Sequence, residues 1–459
     1  MYIMRRNSGL IFISTLLGFI FLLFYLIGDT SYLMVNIERG ILLLSVLIFF
    51  VSLQYDNKKV SLIYLFLFST TLFLLGRVIL SVFDDKELYD SNKYVFYTMH
   101  METVSKVLCL IGTSLSFSVV GFCTYSEKNR HNRTYQRKVF FPGMEQYWKV
   151  IMYITIPLCI YKQYVDLSMI RIDEYLSIYT QDTKSPLIAK AGWWLFSTLF
   201  PVGLLFINCK RDFFRMVGIY AVANFFNLIT GSRSSLLVPI LFFTWYYYTF
   251  ITNKDIHLLY IIIGIVLIAY IAEWLLTLRE GVFQKNGVIK MLLETQGVQY
   301  VFLGNYLDMK DQFVVKSHWY ILFPLYALIP RLTNPVFRTG HSSEMIEQTL
   351  SLDHQLMYAC NPQAYLSGAG YGSCYIAELH ALGGILAVLI GSFLLGRFMA
   401  WFEKKCADFQ SPYIIVLSFF IVSHIFRIAR DPLFIEPISL LFPCLFLLLF
   451  QKRINPNNE

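Results

Sequence analysis

Long runs of apolar residues recur along the chain, and short polar stretches separate most of them. A helix needs about 20 mostly apolar residues to cross a bilayer. The stretches that meet this need cover residues 9–27, 38–54, 60–83, 101–124, 147–164, 188–208, 213–230, 235–252, 257–276, 373–396, 411–429 and 432–450. The pattern therefore predicts an all-α, polytopic integral membrane protein with about twelve transmembrane helices.

The composition strengthens this prediction. Of the 459 residues, 56% are hydrophobic and only 15% are charged, whereas soluble domains carry roughly 25% charged residues. So few charges cannot cover the surface of a soluble protein of this length. A cytosolic enzyme, a secreted domain and a nucleic-acid-binding protein are therefore excluded, and no nucleic acid is expected among the partners.

The basic residues predict the orientation of the helices. Lys and Arg number 38 against 30 Asp and Glu, and cytoplasmic connections are the ones enriched in Lys and Arg. The connections that would all lie on one side contain Arg5, Arg6, Lys58, Lys59, Lys128, Arg130, Arg133, Arg137, Lys138, Lys210, Arg211, Arg215, Lys254, Arg397, Lys404, Lys405, Lys452 and Arg453. Both termini are therefore expected in the cytoplasm.

One connection is much longer than the others and is expected on the outer face. Residues 277–371 separate helices 1–9, in 1–276, from helices 10–12, in 372–459. The apolar run 319–330 is too short to cross and contains prolines, which is typical of an interfacial or re-entrant segment. Residues 288–307 have helical spacing of apolar positions and are predicted to lie flat on the membrane. Such a structured loop indicates that the protein carries out its function at the outer leaflet.

Arginines collect at the predicted outer ends of the later helices, where the orientation rule does not require them. A guanidinium binds phosphate oxygens through two parallel hydrogen bonds and stays charged when partly desolvated. Snorkelling at the helix ends, or pairing with Glu280, Asp431 or Glu436, is the alternative explanation for such residues. The candidate phosphate-binding residues are Arg233, Arg279, Arg338, Arg427 and Arg430.

Three residues are candidates for the base that accepts a proton from a sugar hydroxyl. Glu378 and His380 lie near the start of the tenth predicted helix, and His341 lies in the long loop beside Arg338. A buried polar pair that fixes helix packing explains Glu378 and His380 equally well. We favour His341, because a loop residue reaches a hydroxyl from outside more easily and an unperturbed His titrates near neutral pH.

Several of these features together resemble the O-antigen polymerases, the Wzy family. They are Gly231-Ser232-Arg233, the long outer loop, and a Gly-x-Gly-x-Ser…Ala-Glu…Gly-Gly pattern around Glu378. The resemblance is best over 225–440. It implies a GT-C-like glycosyltransferase that polymerises undecaprenyl-pyrophosphate-linked oligosaccharides at the periplasmic face of the bacterial inner membrane. A chain-length regulator in that membrane is a candidate partner.

By position, the resemblance makes Arg233 and Arg279 the essential arginines and Glu378 part of the conserved helix start. The Arg-x10-Gly repeats of some members occur at no arginine here, which weakens the case for the loop as the substrate-capturing segment. The outer segments also lack an Asp-x-Asp pattern, so we expect a metal-independent enzyme without a cofactor, in which arginines stabilise the leaving pyrophosphate.

Two other functions fit the same hydropathy. A ligase that transfers finished polysaccharide to lipid A core shares the architecture and the carrier lipid. A flippase for the lipid-linked sugar would also have about twelve helices, but transporters bind near the bilayer midplane rather than at one face. The polymerase is the favoured prediction.

Overall fold

The computed structural model describes residues 2–28, 31–56, 61–90, 98–125, 143–173, 185–229, 233–252, 264, 270–271, 288–338, 341–407 and 411–454. Within these ranges every regular element is helical, and the only β-pairing is one isolated bridge between Asp90 and Thr98. The predicted all-α class is therefore confirmed. The ninth predicted span, 257–276, lies almost wholly outside the described residues.

The N-terminal part contains three long apolar helices. These are α1 (Tyr2–Ile27), α2 (Tyr32–Asp56) and α6 (Met101–Thr124); between the last two lie α3 (Leu62–Leu74), α4 (Gly76–Leu80) and α5 (Lys86–Tyr89). Helix α6 is buried over most of its length and is packed against α1 and α2. The predicted span 60–83 is broken at Leu75, between α3 and α4.

The middle part is more irregular. It contains α7 (Met144–Asp173), α8 (Leu187–Leu199) with a 3-10 extension (Phe200–Phe206), α9 (Lys210–Ala223), α10 (Phe225–Ile229) and α11 (Arg233–Tyr246), which ends in a π-helical turn (Tyr247–Ile251). Pro157 lies inside α7 and Pro239 inside α11. A proline removes one backbone hydrogen bond, so both helices tolerate a local break.

The predicted outer loop is a string of short helices. These are α12 (Val288–Gln296), α13 (Val298–Met309), α14 (Phe323–Tyr326), α15 (Leu328–Thr333), α16 (Ser343–Ile346), α17 (Leu352–Cys360) and α18 (Pro362–Leu366), with 3-10 turns at Lys310–Gln312, Tyr320–Leu322 and Pro335–Arg338.

One prediction for this loop is wrong. Residues 288–307 were expected to lie flat on the membrane, which requires one face open to lipid. Helix α13 is instead buried on every face from Val298 to Tyr306. It is a core helix of the protein, whereas α12 keeps Ile289 exposed.

The C-terminal part contains α19 (Tyr375–Ala407), α20 (Pro412–Arg427) and α21 (Pro437–Ile454). In α19 the backbone leaves the helical region at Gly383 and Gly384, and Gly384 has a φ of 63°. A Cβ atom added at Gly391 would overlap the side chain of Leu379. Twelve residues of continuous helix would separate these two positions by about 18 Å, so the chain turns back on itself at the glycine pair.

The turn divides α19 into a short arm, 375–382, and a long arm, 385–407. Ser114 of α6 confirms this arrangement, because its hydroxyl lies 2.7 Å from the hydroxyls of both Tyr375 and Ser392. The long arm crosses α6 closely, and a Cβ at Gly121 or Gly396 would overlap backbone of the facing helix. Small residues permit such close helix packing in membranes.

Five of the described helical stretches are long and apolar enough to cross a bilayer. They are Ser8–Ile27, Tyr32–Leu53, Met101–Thr124, Leu187–Phe206 and Tyr375–Ala407, in the last of which only the long arm 385–407 can cross because of the reversal at the glycine pair. Shorter apolar helices cover Leu62–Leu74, Val238–Ile251, Pro412–Arg427 and Pro437–Leu449. The chain is therefore a multi-pass membrane protein. The sixteen residues of α20 extend only about 24 Å, less than a hydrocarbon core of about 30 Å.

Candidate functional site

The residues at 368–373 form a loop that leads into the short arm of α19. Gly372 has a φ of 78°, and a Cβ added there would lie 2.6 Å from the carbonyl oxygen of Arg430. The backbone N–H of Ser373 donates to the same carbonyl at 3.0 Å. Only glycine fits at this position, and the loop is thereby fixed against the turn that follows α20.

Glu378 connects the same two segments. The Ser373 hydroxyl donates to Oε1 of Glu378 at 2.7 Å, and the backbone N–H of Leu433 donates to Oε2 at 2.8 Å. The residue is only 2% exposed. Because both carboxylate oxygens accept hydrogen bonds from the protein, Glu378 ties the loop to the segment that follows α20.

Both ring nitrogens of His380 also have hydrogen-bond partners. Its Nε2 lies 3.0 Å from the hydroxyl of Tyr25, and its Nδ1 lies 3.2 Å from the hydroxyl of Tyr306. One ring nitrogen donates and the other accepts in a neutral imidazole, so both positions are filled. His380 therefore joins α1 and α13 to the short arm.

His341 differs from both of these residues. Its ring stacks on that of His354 with centroids 5.0 Å apart and meets the ring of Tyr365 edge-on at 4.5 Å. Its Nδ1 is buried and has no hydrogen-bond partner among the described residues. Its Nε2 lies 3.9 Å from the position that a Cβ of Gly370 would occupy. His341 is thus the candidate base with an available nitrogen.

The surroundings of His341 change its acidity. Burial lowers its pKa to about 4, and the charge of His354 lowers it further while Asp353 opposes the shift. The expectation of an unperturbed pKa was wrong. The imidazole is neutral at pH 7, which leaves a lone pair free to accept a proton, although a weaker base transfers protons with less driving force.

The structure brings only part of the predicted arginine set to this loop. Arg430 packs its Cγ against Gly372 and donates from Nη1 to Oε1 of Gln296 at 3.5 Å. Arg427 pairs with Asp431, with Nε and Oδ2 3.3 Å apart. Arg233 begins α11 and Arg338 ends a 3-10 turn, but their side chains and all of Arg279 lie outside the described residues.

An arginine that the sequence analysis did not select lies beside the loop. Arg77 of α4 is only 4% exposed, and its Nη1 donates to the carbonyl oxygen of Asp90 at 2.6 Å. The hydroxyl of Tyr371, in the 368–373 loop, lies within electrostatic range of its guanidinium. The signal was available, because a charged residue inside an apolar span is costly and marks a functional position.

An apolar groove lies between α14, α15 and α21. It has a volume of about 300 Å3 and is lined mainly by Pro324, Leu325, Leu328, Leu441 and Leu445. Glu436 stands at its edge and pairs with Arg331 at 2.8 Å. The groove therefore combines an apolar wall with a charged rim.

Comparison with known proteins gives one match. The family described as O-antigen polysaccharide polymerase Wzy matches residues 9–458. No curated protein and no solved structure matches the chain.

Proposed function

Because the chain belongs to the O-antigen polysaccharide polymerase Wzy family, we propose that it joins undecaprenyl-pyrophosphate-linked O-antigen repeat units at the periplasmic face of the bacterial inner membrane. The family's activity is glycosyl transfer in lipopolysaccharide biosynthesis. A GT-C-like arrangement, with both termini cytoplasmic and 277–371 periplasmic, is part of the proposal.

The reaction exchanges one bond to the anomeric carbon of the donor sugar. An acceptor hydroxyl forms the new C–O bond while the bond to the pyrophosphate oxygen breaks, and undecaprenyl pyrophosphate leaves as an anion. The hydroxyl proton passes to a base on the protein. No oxidant or reductant is needed, and the proposed enzyme works without a metal or cofactor.

The observation that carries the proposal is the free nitrogen of His341. Of the three candidate bases, only His341 has a buried ring nitrogen without a partner among the described residues. It lies next to Gly370, two residues from the Gly372 position that contacts Arg430. In this proposal His341 accepts the proton, while Glu378 and His380 hold the surrounding segments in place.

Departure of the pyrophosphate needs positive charge near the leaving group. Charge that develops on the departing pyrophosphate is stabilised best by cationic groups fixed in advance. We assign this role to Arg430, Arg427, Arg338, Arg279 and Arg233. The apolar groove next to Arg331 and Glu436 fits part of the polyprenyl tail, because its wall is made of proline and leucine side chains.

Deletion of the gene, followed by analysis of the surface polysaccharide, tests this function against its rivals. A polymerase deletion should leave lipid A core that carries a single repeat unit. A ligase deletion would leave bare core with long chains on the carrier, and a flippase deletion would leave neither product. A chain-length regulator, if it acts on this enzyme, would change the modal length in the complemented strain.

A further inference from the structure

Arg77 is a buried cation without an ion pair among the described residues. No carboxylate there lies at ion-pair distance from its guanidinium, and its Nε has no hydrogen-bond partner. Glu87 is the acidic residue within electrostatic range of Arg77, but the ion pair that its carboxylate forms is with Lys290, where Oε1 and Nζ lie 4.0 Å apart. A buried charge left in this state is unfavourable unless a ligand supplies the opposite charge.

The Arg77 side chain lies at the N-terminus of α13. A Cβ added at Gly297, which precedes α13, would lie 2.7 Å from the backbone N and 3.2 Å from Cγ of Arg77. Helix α12 ends one residue before Gly297, and the N–H of Gly297 donates to the carbonyl oxygen of Leu293 at 2.8 Å. No side chain caps the first turn of α13 itself, and that turn contains no acidic residue. The N-terminus of a helix presents N–H groups and partial positive charge, which favours an anion.

Arg430 approaches the same place from the other side. It reaches Gln296, the residue before Gly297, and it contacts Gly372, the residue after Tyr371. Arg77 in turn contacts Gly297 and lies within electrostatic range of Tyr371. The two arginines therefore face the same pair of segments, 296–297 and 371–372.

Buried neutral polar atoms lie near this point. Oε1 of Gln299 and the hydroxyl of Tyr300 have no hydrogen-bond partner in the described structure, and the Tyr300 hydroxyl lies within electrostatic range of Arg77. The hydroxyl of Tyr371 and the side-chain amide of Asn305 are also buried and lie within hydrogen-bonding range of each other. Gln299 is tied to the site, because its Nε2 donates to the carbonyl oxygen of Tyr371. Buried polar groups are almost always hydrogen-bonded, so a cluster of exceptions indicates that something polar is bound there.

We propose that Arg77, Arg430 and the N-terminus of α13 form a binding site for a phosphate or diphosphate group. The ligand that we assign to this site is the diphosphate of the polyprenyl carrier, and this assignment rests on the proposed function. The partly exposed Arg430 lies at its mouth and Arg77 at its base. The hydroxyls of Tyr300 and Tyr371 and the amide of Asn305 donate to the phosphate oxygens.

Binding of inorganic pyrophosphate to the purified full-length protein tests the site without any sugar substrate. The measurement is titration calorimetry in nanodiscs that contain only zwitterionic lipid. Arg77→Gln should weaken binding by about 10- to 100-fold, because charge-assisted hydrogen bonds are lost. Arg77→Lys should lie between that variant and wild type, since a point charge does not copy the guanidinium. Arg215→Gln, at an exposed ion pair with Asp212, is the matched control and should bind normally.

Gln296→Glu keeps the test decisive if Arg77→Gln does not fold. The new carboxylate would lie beside Arg430, with which it can pair, so the thermal midpoint should stay near the wild-type value while pyrophosphate binding weakens about tenfold or more. Unchanged binding in this variant, or in a folded Arg77→Gln protein, would overturn the site.

Two further measurements distinguish the polyprenyl diphosphate from a lipid headgroup as the bound anion. If nanodiscs with anionic phospholipid stabilise the wild type and pyrophosphate then adds nothing, the site holds a lipid headgroup and the assignment to the carrier is wrong. The deletion strain tests the polymerase function separately. If that strain does not carry single-repeat core while pyrophosphate binding still depends on Arg77, the anion site is retained and the proposed polymerase function is wrong.

Discussion

The short arm of α19 and the cluster around Tyr371 are neighbours in the chain, yet their polar side chains behave in opposite ways. On the short arm, Tyr375, Glu378 and His380 all have hydrogen-bond partners. Around Tyr371, the hydroxyl of Tyr300 and Oε1 of Gln299 have none in the described structure, and neither does Nδ1 of His341. The difference separates residues that build the site from residues that act in it.

The distinction follows from the energetics of burial. A buried polar group that lacks a partner loses the hydration it had in the unfolded chain, at a cost of about 1–3 kcal/mol. Groups on the short arm avoid this loss through Ser114, Tyr25, Tyr306, Ser373 and Leu433. In the two proposals above, the groups around Tyr371 and His341 avoid it by binding the substrate. The comparison predicts opposite phenotypes for substitutions in the two regions.

The largest effect is expected at His341. His341→Ala should lower the turnover of lipid-linked repeat units by about 100-fold or more, because general-base catalysis contributes 10²–10⁴-fold. The thermal midpoint should fall only modestly, because the variant loses the ring contacts with His354 and Tyr365 but no hydrogen bond of Nδ1. The measurement is in vitro turnover together with the modal chain length in cells.

His318→Ala is the control for this prediction. His318 is also a histidine of the loop, but it is exposed and lies 3.0 Å from the carbonyl oxygen of Ala381. It should polymerise normally. Normal turnover in the His341 variant would reverse the assignment of the base, most directly if Glu378→Gln were inactive while properly folded.

Glu378 should show the opposite phenotype. Glu378→Ala removes the acceptor of the Ser373 hydroxyl and of the Leu433 N–H, so the free energy of unfolding should fall by about 2–4 kcal/mol. Protein yield and thermal midpoint should drop together with activity. Glu378→Gln keeps one acceptor oxygen and should recover part of both.

The exposed Glu102, paired with Lys106, provides the control Glu102→Gln, which should change the thermal midpoint little. A Glu378→Gln protein with the wild-type midpoint and no activity would place Glu378 among the catalytic groups and erase the contrast between the two regions.

Much of this architecture is readable from the sequence. Apolar runs at 9–27 and 101–124 correspond to helices Tyr2–Ile27 and Met101–Thr124, because the bilayer leaves backbone polar groups few alternatives to a helix. The reversal at Gly383–Gly384 is not readable, since the run 373–396 is apolar throughout and a glycine pair also suits close packing. Contacts with Ser114 of α6 decide it.

The candidate site was predicted less completely, for a related reason. The sequence identified His341, Glu378, His380 and Arg430 as polar residues in an apolar context. It could not separate their roles, because the partners of His380 are Tyr25 and Tyr306, which lie far away in the chain. Arg77 did not stand out in the sequence, because it is a single arginine in the apolar run 60–83, whereas the candidate arginines cluster at the predicted outer ends of the later helices.

A smaller effect is expected at the turn that creates the short arm. Gly384→Ala places a Cβ at a φ of 63°, a conformation that costs L-residues about 1–2 kcal/mol. The thermal midpoint should fall and activity should decline with it. Gly218→Ala, inside α9 with no atom near the added Cβ, should be neutral or slightly stabilising. A Gly384→Ala protein as stable as wild type would show that the turn is not required.

The smallest effect, and the most specific one, is a shift of the acid limb of the pH–rate profile. The pKa of His341 is lowered to about 4, so the base becomes protonated only as the pH falls toward that value. Turnover should therefore persist below about pH 6.5, where an enzyme with an ordinary histidine as its base would lose activity.

Because His354 lowers this pKa and Asp353 raises it, His354→Gln should move the acid limb to higher pH and Asp353→Asn should move it to lower pH. Neither change removes the base, so the rate on the plateau should stay close to wild type. His318→Ala supplies the control profile. If the acid limb stays at the same pH in both variants, another group titrates in this range and His341 is not the base that accepts the proton.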